Sequence, residues 1–195
     1  LSNSDYSQPT ERTIAQCFDY LINISKGEYV PQLLDLIHGE IPNKEKVLPV
    51  VMHGISIFYE ESSQNDNYKL CLSFIEKLMS LFNVANPRLD EFIINSLKVS
   101  YQIVLQKNSS LQYDFDLYKF IPMVLDATKY VKENHLFVEQ IGLNQARQTD
   151  IGKQQRLNAL DCLSLAFKLN SQRCNLSDLV DCACSSMSTD PNEEV

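Results

Sequence analysis

The sequence is poor in the residues that punctuate β structure and in those that most often carry catalysis. Its 195 residues include 5 glycines, 3 histidines and no tryptophan. So few glycines leave little of the turn chemistry that a β-sandwich requires, and this favours helices. His53 has no cysteine or carboxylate partner at a metal-like spacing, and His38 fits the last turn of a short helix. The sequence has no Gly-rich phosphate loop and no G-x-S-x-G or H-E-x-x-H motif.

The chain also lacks basic runs and long apolar runs. Its formal net charge is -8, and a surface of that sign repels phosphate backbones, so binding of nucleic acid is disfavoured. A basic or amphipathic segment of another protein is the electrostatically easier partner. No apolar run approaches the roughly 18 residues that span a bilayer, and no signal segment precedes the first helix, so we expect no membrane association. The chain begins at Leu1 rather than Met, which suggests a piece of a longer protein.

The six cysteines fall mostly within helical apolar patterns, where a free cysteine behaves as a small hydrophobe. This usage indicates reduced thiols in an intracellular protein, cytoplasmic or nuclear. Cys174, Cys182 and Cys184 form the densest group of soft ligands, but their spacing is not that of a zinc finger or ribbon. We therefore predict no metal, no cofactor and no catalytic residue. An enzyme that uses a cysteine or histidine remains a less favoured alternative.

Apolar residues recur at helical spacing along most of the chain, so we predict one all-α domain over 10–187 with flexible segments at 1–9 and 188–195. The rhythm breaks at 135–150, where we predict a short helix and an inserted irregular loop. The predicted helices cover about 14–27, 31–38, 44–59, 68–83, 87–106, 151–170 and 175–187, and one more opens at Asp114 or Asp116 and ends near 134.

One stretch recurs along the chain. Residues 29–37 (YVPQLLDLI) are loosely repeated at 74–82 and 119–127, and the equivalent positions Pro31, Glu76 and Pro122 are 45 and 46 residues apart. A nearly constant step of this size is typical of stacked helical repeats, in which each unit buries its apolar face on the next. The stretch around Pro31 supplies a short helix whose leucines belong to the shared core, with the proline in its first turn.

The stretch 27–37 (GEYVPQLLDLI) resembles the armadillo family and, more loosely, HEAT repeats. Armadillo repeats carry a Gly-x-Ile-Pro-x-Leu-Val-x-Leu-Leu second helix and then a longer third helix. Residues 120–125 match the core of that form, whereas Glu76 replaces the proline in the middle copy. The resemblance implies a right-handed α-solenoid of about three to four repeats. Its third helices would lie at about 44–59, 87–106 and 151–170.

The resemblance also implies a role as a non-enzymatic scaffold that binds a partner peptide or helix along a groove between the long helices. The polar faces of these helices supply the candidate binding residues: His53, Ser56, Asn95, Lys98, Gln102, Asn158, Asp161 and Ser164. Two alternatives stay open, namely a self-associating or intramolecular structural module and, less favoured, a helical repeat that binds nucleic acid. The partner's identity and the oligomeric state are not fixed by the sequence.

Overall fold

A computed structural model describes residues 44–62, 68–82, 87–107, 115–142 and 145–191, together with Cys17, Tyr20, Tyr29, Gln32 and Asp35. Most residues of the first repeated stretch, and of the helices predicted over 14–27 and 31–38, therefore lie outside the described residues. Gln32 and Asp35 have helical backbone.

The described part of the chain is mostly helical, as predicted. Its helices are α1 (Lys44–Ser62), α2 (Tyr68–Met79), α3 (Pro87–Lys107), α4 (Ile121–Ala127), α5 (Lys132–His135), α6 (Lys153–Leu169) and α7 (Leu176–Thr189). Short 3-10 helices at Leu117–Phe120 and Ser171–Arg173 precede α4 and α7. The long helices α1, α3 and α6 agree with the segments predicted as third helices.

Helix α3 lies at the centre and packs against α1, α2 and α6. Ile93 and Leu97 on one face are fully buried, as its apolar periodicity predicts. Ser96 and Ser100 are buried as well, and their hydroxyls donate to the carbonyl oxygens of Phe92 and Ser96, both at 2.9 Å. These internal hydrogen bonds satisfy the serines, whose small side chains permit α3 to pack closely on more than one neighbour.

Three buried tyrosines form hydrogen bonds that join different elements of the fold. Tyr59 of α1 donates to the carbonyl oxygen of Cys71 in α2 at 2.7 Å, and Tyr101 of α3 donates to that of Leu117 at 2.8 Å. The Tyr118 hydroxyl donates to a backbone carbonyl of α6 at 3.2 Å. Burial raises the pKa of Tyr59 and Tyr101 well above the ordinary value, and it is the main reason that the pKa of Tyr118 rises to about 12. All three phenols are therefore hydrogen-bond donors at neutral pH.

The helix predicted over 116–134 is divided in the structure. Pro122 lies in the first turn of α4, and the helix ends at Ala127, where the Thr128 hydroxyl donates to the Leu125 carbonyl at 2.7 Å. Val131, predicted to lie within the helix, has extended backbone before α5. The prediction of one continuous helix was wrong because the local side-chain bond of Thr128 satisfies a terminal carbonyl group and permits a turn there.

The insertion at 135–150 is a β-hairpin rather than a short helix and an irregular loop. Strands β1 (Leu136–Gly142) and β2 (Gln145–Asp150) pair antiparallel, from Leu136 opposite Asp150 to Gly142 opposite Gln145. The short run at 136–138 is too brief to distinguish strand from helix by periodicity, and this is why the prediction was wrong. The hairpin ends directly before α6.

The C-terminal helix is longer than predicted. Helix α7 continues through Thr189, so Ser188 and Thr189 are helical rather than part of a flexible tail. The next residue, Asp190, has a buried side chain that forms an ion pair with Arg156. The boundary predicted at 187 was too early because the prediction followed apolar periodicity. A charged pair such as Asp190 and Arg156 does not contribute to that pattern. Residues 192–195 lie outside the described residues.

Candidate functional site

Helices α1, α3 and α6 form the walls of an open groove with a volume of about 310 Å³. Each of the three long helices contributes polar side chains to it. The lining residues are His53, Ser56, Ile57, Glu60, Glu91, Phe92, Asn95, Lys98, Gln154 and Asn158. The groove follows from the amphipathic pattern, because each helix turns its apolar face inward and leaves a polar face along the line where the helices meet.

Asn95 connects the α1 and α3 walls of the groove. Its side-chain amide nitrogen donates to the Ser56 hydroxyl at 2.8 Å and to a Glu60 carboxylate oxygen at 2.6 Å. Ser56 is buried and Asn95 is half-buried. Two hydrogen bonds from one NH₂ group fix the amide plane, so the donors and acceptors of this wall are preorganised.

Asn158 connects the α3 and α6 walls. Its side-chain oxygen accepts hydrogen bonds from the Lys98 ammonium group at 2.7 Å and from the Gln154 amide at 3.2 Å. Its nitrogen donates to the backbone carbonyl oxygen of Glu91 at 3.5 Å. The Lys98 ammonium group also lies 3.7 Å from a carboxylate oxygen of Asp161, which is exposed. Lys98 therefore holds a fixed position between two residues of α6.

An aromatic pair adds an apolar patch to the groove. The His53 imidazole of α1 stacks on the Phe92 ring of α3, with the ring centroids 4.7 Å apart and the planes 12° from parallel. Both side chains are half-buried, so part of the stack faces solvent. The groove thus combines carboxylates, amides and an aromatic surface, which suits a segment that presents both backbone amides and side chains.

The structure brings together most of the predicted binding residues. His53, Ser56, Asn95, Lys98 and Asn158 line the groove, and Asp161 contacts it through Lys98. Gln102 is half-buried on α3 beyond Lys98, and Ser164 is exposed on α6; neither lines the groove. The sequence reasoning missed five lining residues, most of which lie one helical turn from a predicted one: Ile57, Glu60, Glu91, Phe92 and Gln154.

The comparison of the chain with known proteins gives no relative. No protein-family model, no curated protein and no solved structure matches the chain.

The structure describes all six cysteines, whose side chains range from fully buried to exposed. All six are free thiols, and the described residues contain no group of three or more His, Cys, Asp or Glu side chains that could hold a metal ion. Cys162 of α6 is fully buried, and its thiol donates to the Ile94 carbonyl of α3 at 3.6 Å; burial raises its pKa well above the ordinary value. A buried neutral thiol packs as a core residue. None of the described helices is both long and apolar enough to cross a membrane.

Proposed function

We propose that this protein is a non-enzymatic scaffold that binds a segment of a partner protein in the groove between α1, α3 and α6. The observation that carries the proposal is the convergence of polar side chains from three long helices on one preorganised surface. Asn95 and Asn158 each bridge two helices, so the groove keeps its shape before a partner arrives. Preorganisation reduces the entropy that binding must overcome, and recognition of this kind needs no catalytic group.

We further propose that the helices stack as a right-handed, armadillo-like solenoid. Support comes from two ion pairs that join successive copies of the repeated stretch. Lys77 of the second copy pairs with Asp35 of the first, and Lys119 at the start of the third pairs with Glu76 of the second. The partners are 42 and 43 residues apart, close to the repeat step. Short helices that meet at a constant offset are what repeat stacking requires.

The charge of the groove favours a basic or amphipathic partner segment. Glu60 and Glu91 line it and Asp161 lies beside it, whereas Lys98 is the one ammonium group among the lining residues that the structure describes. The whole chain carries a net charge of -8, so the long-range field has the same sign. Because all six cysteines are free, we propose that binding takes place in a reducing compartment, the cytoplasm or nucleus.

The test is affinity capture from cells with a photo-crosslinking amino acid placed at Gln154, an exposed groove residue. The matched control places the same amino acid at Ser164, which is exposed on the same helix outside the groove. We expect specific protein crosslinks from position 154 and few from position 164. Equal crosslinking from both positions, or crosslinks to nucleic acid, would contradict the proposal.

A second candidate function is self-association through the outer face of α7. Leu176 and Val180, one turn apart on this helix, are 62% and 51% exposed, and exposed apolar side chains at this spacing are typical of a helix that packs on another surface. Sedimentation velocity over a concentration series tests this candidate. We expect Val180→Asp to abolish any concentration-dependent dimer, and a wild-type chain that stays monomeric would eliminate the candidate.

A further inference from the structure

A buried cluster of charges lies away from the groove, where the hairpin, α6 and α7 meet. Arg156 is fully buried in the first turns of α6. Its guanidinium group donates to both carboxylate oxygens of Asp150, at 3.2 and 2.6 Å, and to both of Asp190, at 2.5 and 3.0 Å. Asp150 ends β2 and Asp190 follows α7, so one side chain joins three elements.

His135 completes the cluster and is fully buried. Its Nδ1 atom lies 3.1 Å from Nη1 of Arg156 and 3.3 Å from the backbone nitrogen of Val131. Both neighbours are obligatory donors, so Nδ1 accepts hydrogen bonds and the proton of the neutral ring is on Nε2. Nε2 is buried and has no hydrogen-bond partner within the described residues.

The imidazole ring fits its site closely. A Cβ atom added at Gly152 would lie 2.6 Å from two ring carbons of His135, so a larger residue cannot occupy that position without displacing the ring. The Tyr130 ring lies on another side, with its centroid 5.7 Å from that of the imidazole and 5.1 Å from Cζ of Arg156. The ring therefore has little room to turn Nδ1 away from the two donors.

Protonation of His135 is incompatible with this arrangement. An imidazolium carries a hydrogen on Nδ1 and can no longer accept the bonds from Arg156 and Val131. Four groups face the ring: Arg156 from α6, Asp150 from β2, Asp190 from the end of α7, and Tyr130 before α5. Burial and the guanidinium charge lower the pKa of His135 below its ordinary 6.5, although the two carboxylates oppose that shift.

We propose that this cluster is an acid-sensitive clamp that holds the β-hairpin and the end of α7 against α6 and opens when His135 is protonated. Neutral His135 accepts a hydrogen bond from the guanidinium that binds both aspartates. The charged ring repels that guanidinium and removes the acceptor. Arg156 lies two residues from both Gln154 and Asn158, so opening also frees the groove-lining end of α6. This last step rests on the proposed function, whereas the clamp itself does not.

Hydrogen exchange followed by mass spectrometry tests the clamp on the whole chain, at several pH values from 7.5 to 5.5 and with rates corrected for intrinsic exchange. In the hairpin and α7, the opening equilibrium should rise by up to about tenfold for each pH unit below 6.5. The protection of α2 and α3 should stay constant. If the hairpin and α7 exchange equally at pH 7.5 and 5.5, the proposal is wrong.

The decisive variant is His135→Asn, because the asparagine side-chain oxygen can take the place of Nδ1 as an acceptor and does not titrate. We expect this variant to keep the hairpin protected at both pH values, while His53→Asn retains the wild-type pH dependence. If the variant keeps that dependence, the aspartates rather than His135 control opening and the proposal is overturned. NMR titration of the wild-type imidazole covers the case in which the variant does not fold. Protonation of His135 without a change in the hairpin resonances would equally overturn the proposal.

The experiments distinguish failure of the clamp proposal from failure of the groove proposal. The exchange experiment needs no partner, and the crosslinking at Gln154 is carried out at neutral pH, where the clamp is closed. Loss of pH-dependent exchange with intact crosslinking would remove only the clamp. The opposite result would remove only the groove.

Discussion

Replacement of Arg156 by methionine should be strongly destabilising. Arg156 is fully buried, and the side chains of its partners Asp190 and Asp150 are 1% and 14% exposed. The substitution leaves two carboxylates without their cation in a largely dry site. Removing one partner of a buried ion pair costs about 3–5 kcal/mol, because the charge that remains is uncompensated. That is a large part of the roughly 5–15 kcal/mol by which domains are stable.

Urea denaturation followed by circular dichroism measures this loss as a lower midpoint with an unchanged slope. The matched variant combines Arg156→Met with Asp150→Asn and Asp190→Asn, which removes the carboxylate charges and keeps the side-chain shapes. It should recover part of the lost stability. A single variant that loses less than about 1 kcal/mol, the usual value of an exposed pair, would refute the reasoning. So would a triple variant that is no more stable than the single one.

Gly152→Ala should cost about 1–3 kcal/mol in urea denaturation, because the added methyl group overlaps the imidazole of His135. The wild-type free energy of unfolding should fall as the pH drops below 6.5. The pKa of His135 is lower in the folded state, so the unfolded state binds more protons in that range. A flat profile between pH 7 and 5.5 would contradict this. Iodoacetamide at pH 8 should label exposed Cys184 in the native protein and leave buried Cys162 unlabelled until urea is added, as mass spectrometry can show. Tyr59→Phe should cost about 1 kcal/mol in thermal unfolding through loss of one buried hydrogen bond, and an unchanged midpoint would show that the bond contributes nothing.

The long helices were predictable because their apolar residues recur every three or four positions over many turns. In α3, Ile93 and Leu97 follow that spacing and are buried as expected. The hairpin was not predictable in the same way. Its apolar run at 136–138 is short, and strand pairing depends on contacts between residues as far apart as Leu136 and Asp150. Apolar periodicity indicates which face of an element is buried, but it does not predict which strand pairs with which.

The charged cluster around Arg156 could not be predicted from the sequence for a related reason. Arg156 pairs with residues 6 and 34 positions away, and charged side chains follow no periodic rule that would reveal burial. A sequence pattern treats them as solvent-exposed, which is the common case. In this protein the exception joins the hairpin to the end of α7, so the missed residues are also those that fixed the end of the last helix.

The groove was predictable in part. Helical geometry places Asn95 and Lys98 on one face of α3, because three residues correspond to nearly one turn. Ser164 lies six residues after Asn158, which rotates it by about 120° around α6, so it leaves the groove. Gln102 shares the face of Lys98 and lies about 6 Å farther along the helix. Which polar face meets a neighbouring helix depends on packing, and the sequence alone does not fix it.

The measurement that tests the central claim most directly is the dissociation constant of a captured partner segment for purified wild-type protein and for Asn95→Ala. The substitution removes the amide that bridges α1 and α3, while Ser164→Ala serves as the control on an exposed site. Truncation of a hot-spot residue near the centre of an interface costs about 2 kcal/mol or more, and about 1.4 kcal/mol already corresponds to tenfold in affinity. We predict at least that loss for Asn95→Ala and none for Ser164→Ala, at neutral pH and with unchanged circular dichroism. Equal affinity of all three proteins would contradict the account.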